Sequence, residues 1–538
     1  MGTSFSLPFT VTPPADNIPP VFDLIIVNAR IIDGLGSPAW DGWVGVEADR
    51  ITTVERSLLD PPEAIRVVDA GGSVLAPGFV DVHNHSDLAP MVEPGFASTV
   101  HQGVTTVVVG NCGMSPWPNA GALECAEMVG GDPAAVLLGW PSFGRWMDAM
   151  QACAPAVNVA ALVGHGSVRA EVMGLSQRSP DADELRAMRA LVAGAMDQGA
   201  LGLSTGLIYV PGMFAGTDEI VALAGEVAQR GGIYASHIRG EGEHLFAAVD
   251  EAIGIGRRAR LPAHISHLKC ETRLMWGRAD ELLGKVHEAD DVTADQYPYT
   301  AWESILSSLL PPWAPVEHVA SLAATDHERL RNAVECGEPN FGSSIKGVGW
   351  DGIVVEGSAD PSWDGRSIAA LADDASCGSF DMFVRVLVAR AETGCIGHAM
   401  HEDDVRAILA DPDVMVASDA VAMSPDGPLG AWPVHPRNYG TFPRVLGPYV
   451  RDGVLPIESA VRKMTSLPAK RFGLRGRGVI EEGAFADLVV FDPERVVDTA
   501  GFGAPHSFPD GIELVVVNGR VAVDDRGLGE RAGQVLRR

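Results

Sequence analysis

His83 and His85 stand two residues apart in Asp81-Val82-His83-Asn84-His85, at the end of the apolar run VLAPGFVDVHNHS (74–86). Alternate residues of a strand face one side, so the pair could set two imidazoles on one metal ion. Four more apolar runs end in groups of the same kind. They close on Asn111-Cys112-Gly113, Ser236-His237, Ser266-His267 and Ser418-Asp419. Thiolate, imidazole and carboxylate are the donors that hold zinc. Each group alone has a plainer reading. An HxH pair is often two surface or core histidines, a lone Cys on an apolar strand usually fills a core, and an Asp after Ser is usually a helix cap. Five such coincidences at strand ends are harder to accept than one metal centre.

The strands that must position these groups number eight: 74–86, 104–113, 157–166, 200–209, 232–240, 263–269, 292–299 and 414–420. Fully apolar runs separated by helical stretches such as PDADELRAMRALVAGAMDQG indicate a parallel sheet. Eight of them predict an α/β fold, a (β/α)8 TIM barrel over residues 71–454 with its active site at the C-terminal strand ends. Both ends of the chain are rich in short β-branched runs, DLIIVNARIIDG, WVGVEADRITTVE and IRVVDA first, FADLVVFDP, IELVVVNGR and GRVAVDD last. They predict one small β-sandwich domain formed by both termini, 22–70 and 455–538, after an N-terminal arm at 1–21. Between Thr300 and Asp413 the gap far exceeds a usual loop. It predicts an insertion between strands 7 and 8, at 302–400, with helices in PPWAPVEHVASLAATDHERLRNAV and the place of a lid.

The chain has 538 residues, 40 Lys plus Arg against 70 Asp plus Glu, and a net charge of −30. That balance argues against nucleic acid and against an anionic membrane surface as partners, since both attract positive charge. With 46% hydrophobic and 20% charged residues the composition is globular. Seven Cys, an odd number with no CxxC pair, give neither a disulfide framework nor a zinc knuckle. The first residues lack a secretory n-region and h-region, and no apolar run reaches the ~18 residues of a membrane span. A cytoplasmic protein acting on a small-molecule substrate is expected, with association into a homo-oligomer left open. Gly2 and Ser6 fit the short myristoylation pattern, for which a Pro-rich arm is the plainer reading.

In order along nearly the whole chain run PGFVDVHNHSD, GVTTVVVGNCG, STGLIYVPG, ASHIRGE, SHLK, DQYPYTA, ASDA, HPRNYGTFPRVLG and MTSLPAKRFGLRGRGVIEEGAFADLVVFD. With these motifs the sequence resembles the amidohydrolase superfamily, in its branch of N-acyl-D-amino-acid deacylases (D-aminoacylases). The resemblance implies a metal-containing (β/α)8 barrel with a small β-sandwich. It implies a hydrolase that cleaves the amide bond of N-acyl-(D-)amino acids to a carboxylate and a free amino acid. His83, His85 and Asp419 then correspond to one metal position, His237 and His267 to the other. Many relatives bridge the two through a carboxylated Lys on strand 4, but Leu201 to Tyr209 contain none. Cys112 matches the bridging Cys of the deacylase branch. The resemblance thus implies one tight zinc on Cys112, His237 and His267, with a position open to water, and a second, weak site. Zinc lowers the pKa of bound water towards about 7 and polarises a carbonyl, and Asp419 is implied as base and acid.

Lys269 follows His267 by two residues and would face the same side of its strand. Arg437 matches the family's carboxylate-binding Arg, and Arg can grip a carboxylate with two hydrogen bonds. For either, a solvated surface charge is the plainer reading. Tyr209 and Tyr297 match positions that contact substrate or its oxyanion, although core packing is the commoner role of a Tyr. His165 receives no ligand role. Trp302-Glu303-Ser304 departs from the small and hydroxylated residues usual after YPYTA, and the loop VAMSPDGPLGAWPV is long and holds Trp432. Both bear on substrate preference. Alternatives are hydrolysis of another amide, a cyclic amide or a carbamate, as in hydantoinases and dihydroorotases, which normally use the missing Lys. A deaminase would have no need of Cys112, and a scaffold that has lost its metal would show eroded ligands.

Overall fold

The computed structural model describes residues 22–57, 62–121, 125, 139–338 and 341–538. The arm read at 1–21, with Gly2 and Ser6, lies outside them. Five strands come first: β1 (Phe22–Ile31), β2 (Trp40–Glu47), β3 (Arg50–Glu55), β4 (Ala64–Asp69) and β5 (Val74–Pro77). The run 74–86, read as one strand, is divided at Gly78. A Cβ there would fall 2.3 Å from the Thr105 side chain, so only glycine allows this close crossing. Val74–Pro77 therefore belongs to the sheet of the chain ends, and the first strand of the parallel series begins at Phe79.

That series is β6 (Phe79–Asp81), β7 (Val104–Val109), β8 (Asn158–Ala161) with β9 (Val163–Gly164), β10 (Gly202–Gly206), β11 (Ile233–His237), β12 (Ala263–Ile265) and β13 (Val292–Gln296). After β14 (Ala301–Ile305), β15 (Ile353–Glu356) and β16 (Gly394–His398), it is completed by β17 (Val414–Val416). β6 pairs with β7 and β7 with β8; β9 pairs with β10, and the ladder runs on through β11, β12 and β13 to β17, every pair parallel. β8 and β9 act as one strand interrupted at Leu162, whose N–H donates to Val109 O. An Asn84–Ala420 bridge joins the last strand to the first. This circuit is consistent with the eight-stranded barrel read from the sequence.

β18 (Leu488–Phe491), β19 (Ile512–Val517), β20 (Arg520–Asp524) and β21 (Gly527–Leu528) return to the opening strands. Rather than two separate sheets, hydrogen bonds make one nine-stranded sheet in the order β21-β20-β19-β18-β5-β1-β2-β3, with β4 on β1. Its two-residue alternation is legible in the packing. Leu488, Val490, Leu514 and Val516 enter the β domain's own core with Leu24, Ile26 and Val44. Val489, Phe491, Val515 and Val517 enter the large core shared with the parallel strands.

Not all of 455–538 lies in that sheet. Ile457–Met464 and Ser466–Arg471 are helices, and Ala469, Phe472 and Leu474 pack with the strand residues Val80, Val108, Ile233 and Met415. The last residues also return to the parallel strands, Leu536 N–H donating to Val159 O. The physical reason is burial: apolar residues at one end of the strands need a cover, and these segments supply it.

The insertion carries helices Val319–Thr325 and His327–Cys336 where the sequence placed them, and a small antiparallel sheet in the order β14-β16-β15. It rests on the loops that follow the neighbouring strands. Trp302 Nε1 donates to Glu271 Oε1 at 2.9 Å, Thr272 N–H to Ala399 O at 2.9 Å, and His435 Nε2 lies 3.0 Å from Ala301 O. No disulfide joins the described residues, and no helix among them is long and apolar enough to cross a membrane.

Candidate metal centre

His83, Cys112, His237, His267 and Asp419 come from five different strand ends and meet in one cluster, buried except for the partly exposed Asp419. Cys112 Sγ lies 3.3 Å from His83 Nε2, 3.6 Å from His237 Nδ1 and 3.7 Å from His267 Nε2. Asp419 Oδ1 lies 3.2 Å from His83 Nε2 and 3.1 Å from His85 Nε2. His83 and His85 sit beyond the end of β6 rather than on it, yet both imidazoles still turn to the same carboxylate oxygen. Burial pushes the Cys112 thiol up, but His83, His237 and His267 overcome it and hold the pKa well below the ordinary thiol value. For Asp419 burial is likewise outweighed, by Arg437 and His83, and its carboxyl is held well below the usual range.

The backbone is strained where these groups converge. Cys112, His267 and Asp419 have φ of 52°, 38° and 54°, a left-handed region that costs non-glycine residues on the order of 1–3 kcal/mol. Each is held there by hydrogen bonds. Asp419 N–H donates to His83 O at 2.8 Å, and His267 N–H to Asp295 Oδ1 at 2.8 Å. The Cys112 turn is tied to Ser204 of β10, whose hydroxyl accepts from Gly113 N–H and donates to Gly110 O. A Cβ on Gly206 would fall 2.0 Å from Cys112 O. The strand that lacks a bridging Lys thus supplies a hydroxyl and a bare backbone, and both shape the turn that presents the thiol.

Two supporting acids escaped the sequence reading. Asp295, at the end of β13, places Oδ2 2.7 Å from His264 Nε2 and 3.8 Å from His83 Nδ1. Burial raises its pKa, yet His264 and His83 together hold it below the ordinary carboxylate value. Glu241, four residues after His237, lies with Oε1 2.9 Å from His267 Nδ1 and accepts from Lys269 Nζ at 2.6 Å. It opposes burial through Lys269 and the two histidines, and stays well ionised. The signals were present in DQYPYTA and ASHIRGE, but an acid in a loop motif has no distinguishing period.

Neither expected cation is on the surface. Lys269 is 5% exposed and reaches both Glu241 and His267 Nδ1, the latter at 2.8 Å. Arg437 is 5% exposed, opens the helix Arg437–Arg444, and places Nη1 2.8 Å from Asp419 Oδ2. On its other side Nη2 lies 3.7 Å from Glu303 Oε2. Its guanidinium carbon is 5.1 Å from the centre of the Tyr297 ring, and Lys269 Nζ is 5.5 Å from it. Tyr297 is buried and its hydroxyl has no hydrogen-bond partner among the described residues. Tyr209 is half-buried and meets His237 edge to face at 5.0 Å. His165 takes no part in the cluster. It pairs with Glu219 at 2.9 Å, and Glu219 holds Arg169, which donates to Pro211 O in the loop after β10.

The donor set fits zinc. Zn–S of about 2.3 Å and Zn–N of about 2.0–2.1 Å set tetrahedral sulfur–nitrogen edges of about 3.6 Å. The Cys112 edges to His237 and His267 are 3.6 Å and 3.7 Å.

The amidohydrolase family model matches residues 66–316 and 382–523, and the unmatched stretch between them falls in the insertion. The chain is 38% identical to N-acyl-D-glutamate deacylase of Alcaligenes xylosoxydans xylosoxydans over 96% of each chain. To D-aminoacylase of the same organism it is also 38% identical, over 96% of this chain and 98% of the other. The solved N-acyl-D-glutamate deacylase of Bordetella bronchiseptica holds zinc and a phosphonate that mimics the tetrahedral intermediate of its reaction. It superposes with a TM-score of 0.80 at 34% identity, covering 96% of this chain and 100% of its own. With this match across both the strands and their terminal clusters, the chain belongs to the amidohydrolase family.

Proposed function

We propose that this protein is a zinc-dependent hydrolase of N-acyl-D-amino acids, releasing a carboxylate and the free amino acid. The observation that carries the reading is a buried thiol–imidazole–carboxylate cluster flanked by two buried cations. Relatives 38% identical over 96% of the chain are named for the same chemistry.

Cys112, His237 and His267 are the residues that would hold the tight zinc, and His83 and His85 with Asp419 a second, weaker ion. When bound there, zinc supplies Lewis acidity to the amide carbonyl and acidifies water. Asp419 takes a proton from the attacking water and returns it to the departing nitrogen. Its two oxygens suit this work, since Oδ1 faces His83 and His85 while Oδ2 faces Arg437. Arg437 and Lys269 orient the substrate's α-carboxylate. Charge-assisted hydrogen bonds formed away from water are the strong ones. The unpartnered Tyr297 hydroxyl, and Tyr209 beside His237, would donate to the carbonyl oxygen as charge develops on it. With carboxylate and carbonyl both pinned, the two enantiomers send their side chains in different directions, and one direction suffices.

The division into domains is part of the reading. A (β/α)8 barrel carries the chemistry, both chain ends build the β domain, and the insertion over 302–400 closes the mouth when substrate binds, excluding water.

The test is a hydrolysis screen of the zinc-loaded protein with matched N-acetyl-D- and N-acetyl-L-amino acids, reading the free amine. Turnover of D substrates at least tenfold above L is expected. Hydrolysis confined to cyclic amides or carbamates would replace this reading.

A further inference from the structure

The charges around Arg437 do not balance for an ordinary acyl-amino acid. Arg437 lies between Asp419 at 2.8 Å and Glu303 at 3.7 Å. The other cation, Lys269, is matched by Glu241 at 2.6 Å. A substrate α-carboxylate arriving at Arg437 adds a third negative group to one guanidinium. Glu303 is one of the residues in which the stretch after YPYTA departs from its usual pattern.

A second acid, more deeply buried, stands nearby. Glu356, at the end of β15, is 8% exposed, and its side chain makes no hydrogen bond or ion pair among the described residues. Glu303 pairs across β16 with Val354 through Ile396. Glu356 is two residues from Val354, so both carboxylates stand on the same face of the small sheet. The residue opposite Glu356 is Gly394, which brings no side chain to that face. Independently of the acids, polar atoms of two buried side chains in this corner await a partner. They are the Tyr297 hydroxyl, on a side chain 3% exposed, and Arg437 Nε, on one 5% exposed.

Resting on the deacylase reading, we propose that Glu303 and Glu356 bind a cationic side chain of the substrate, so that the preferred substrates are N-acyl-D-amino acids of the lysine, ornithine and arginine class. The ammonium or guanidinium gives the Glu356 carboxylate the partner it lacks and shares Glu303 with Arg437. An apolar or acidic side chain there leaves the buried Glu356 without a partner, at a desolvation cost. The cation belongs to the amino-acid side chain rather than to the acyl group. Side chain and α-carboxylate share one carbon, and the pair stands beside the Arg that holds the carboxylate, whereas the acyl chain lies beyond the scissile carbonyl.

The experiment compares kcat/KM of the zinc-loaded protein on N-acetyl-D-arginine, N-acetyl-D-lysine, N-acetyl-D-norleucine and N-acetyl-D-glutamate. Basic substrates should exceed norleucine at least tenfold. Glu303→Gln and Glu356→Gln should each lower that ratio about tenfold, and a folding defect in one leaves the other and the wild-type panel to decide. Norleucine or glutamate equal to or better than the basic substrates overturns the proposal, as does a preference that neither substitution moves. Failure to hydrolyse any N-acyl-D-amino acid would instead bring down the deacylase reading, and this one with it.

Discussion

Arg437 Nη1 lies 2.8 Å from Asp419 Oδ2, joining the residue assigned to the substrate's carboxylate and the residue assigned to proton transfer in one buried ion pair. With the roles proposed for them, one pair couples recognition to chemistry. A carboxylate docking on Arg437 shares its charge, and the Asp419 oxygen facing it becomes the stronger base.

That coupling gives the first expectation. Arg437→Ala should lose kcat/KM on an N-acyl-D-amino acid and far less on the matching carboxamide. A charge-assisted hydrogen bond contributes on the order of 1.5–3 kcal/mol, so the acid should fall roughly ten- to a hundredfold. Equal losses on acid and amide would mean that the carboxylate is held elsewhere, with Lys269 the next residue to test.

Cys112 Sγ contacts three imidazoles, and no Lys on β10 can replace it as a bridge. Cys112→Ala should therefore lose the tight zinc and the activity together. Metal analysis of the dialysed variant decides the point, and a full equivalent of retained zinc would falsify the assignment.

Asp419→Asn preserves size and removes the basic oxygen. Turnover should drop by ~10²–10⁴-fold, the usual contribution of general acid–base catalysis, while zinc on Cys112, His237 and His267 remains. Near-normal kcat in a folded, zinc-loaded variant would exclude the role.

Asp295 touches no substrate in this reading, yet it fixes the strained amide of His267 and faces His264 and His83. Partners of metal-binding histidines typically contribute about 10–100-fold in metal affinity. Asp295→Asn should weaken zinc binding within that range in a competition titration with a chelator, without unfolding the protein. An unchanged zinc affinity would reduce Asp295 to a packing residue.

The preference for basic side chains should depend on pH. Burial, then Glu303 and Asp364, push the Glu356 carboxyl up to about 8, with Arg437 pulling the other way. The charged groups facing it are Glu303 from β14, Asp364 from the turn after β15 and Arg437 from its helix; Glu303 is raised as well, mainly by burial. A carboxyl raised in this way is neutral below its pKa and anionic above it. The kcat/KM ratio of N-acetyl-D-arginine to N-acetyl-D-norleucine should therefore climb as pH rises through about 8. Taking a ratio cancels the titration of the metal centre, which both substrates share. A flat ratio would place Glu356 out of reach of the side chain.

The sequence by itself determined the candidate donors and their order along the chain. Apolar runs ending in His, Cys or Asp reported local periodicity and burial, and eight of them reported the parallel strands. The resemblance to the deacylase branch, with no Lys on strand 4, implied Cys112 before any coordinate did. Tertiary structure alone decided the partnerships. Glu241 with Lys269, Asp295 with His264, Ser204 with the Cys112 turn and Arg437 with Asp419 join residues that no common period links, since their meeting depends on where separate strand ends dock. The left-handed backbone at Cys112, His267 and Asp419 is invisible to propensity for the same reason. Such a conformation is disfavoured locally and persists only because contacts from other strands hold it. The break at Gly78 was hidden as well, because an apolar run reads alike whether one sheet buries it or two.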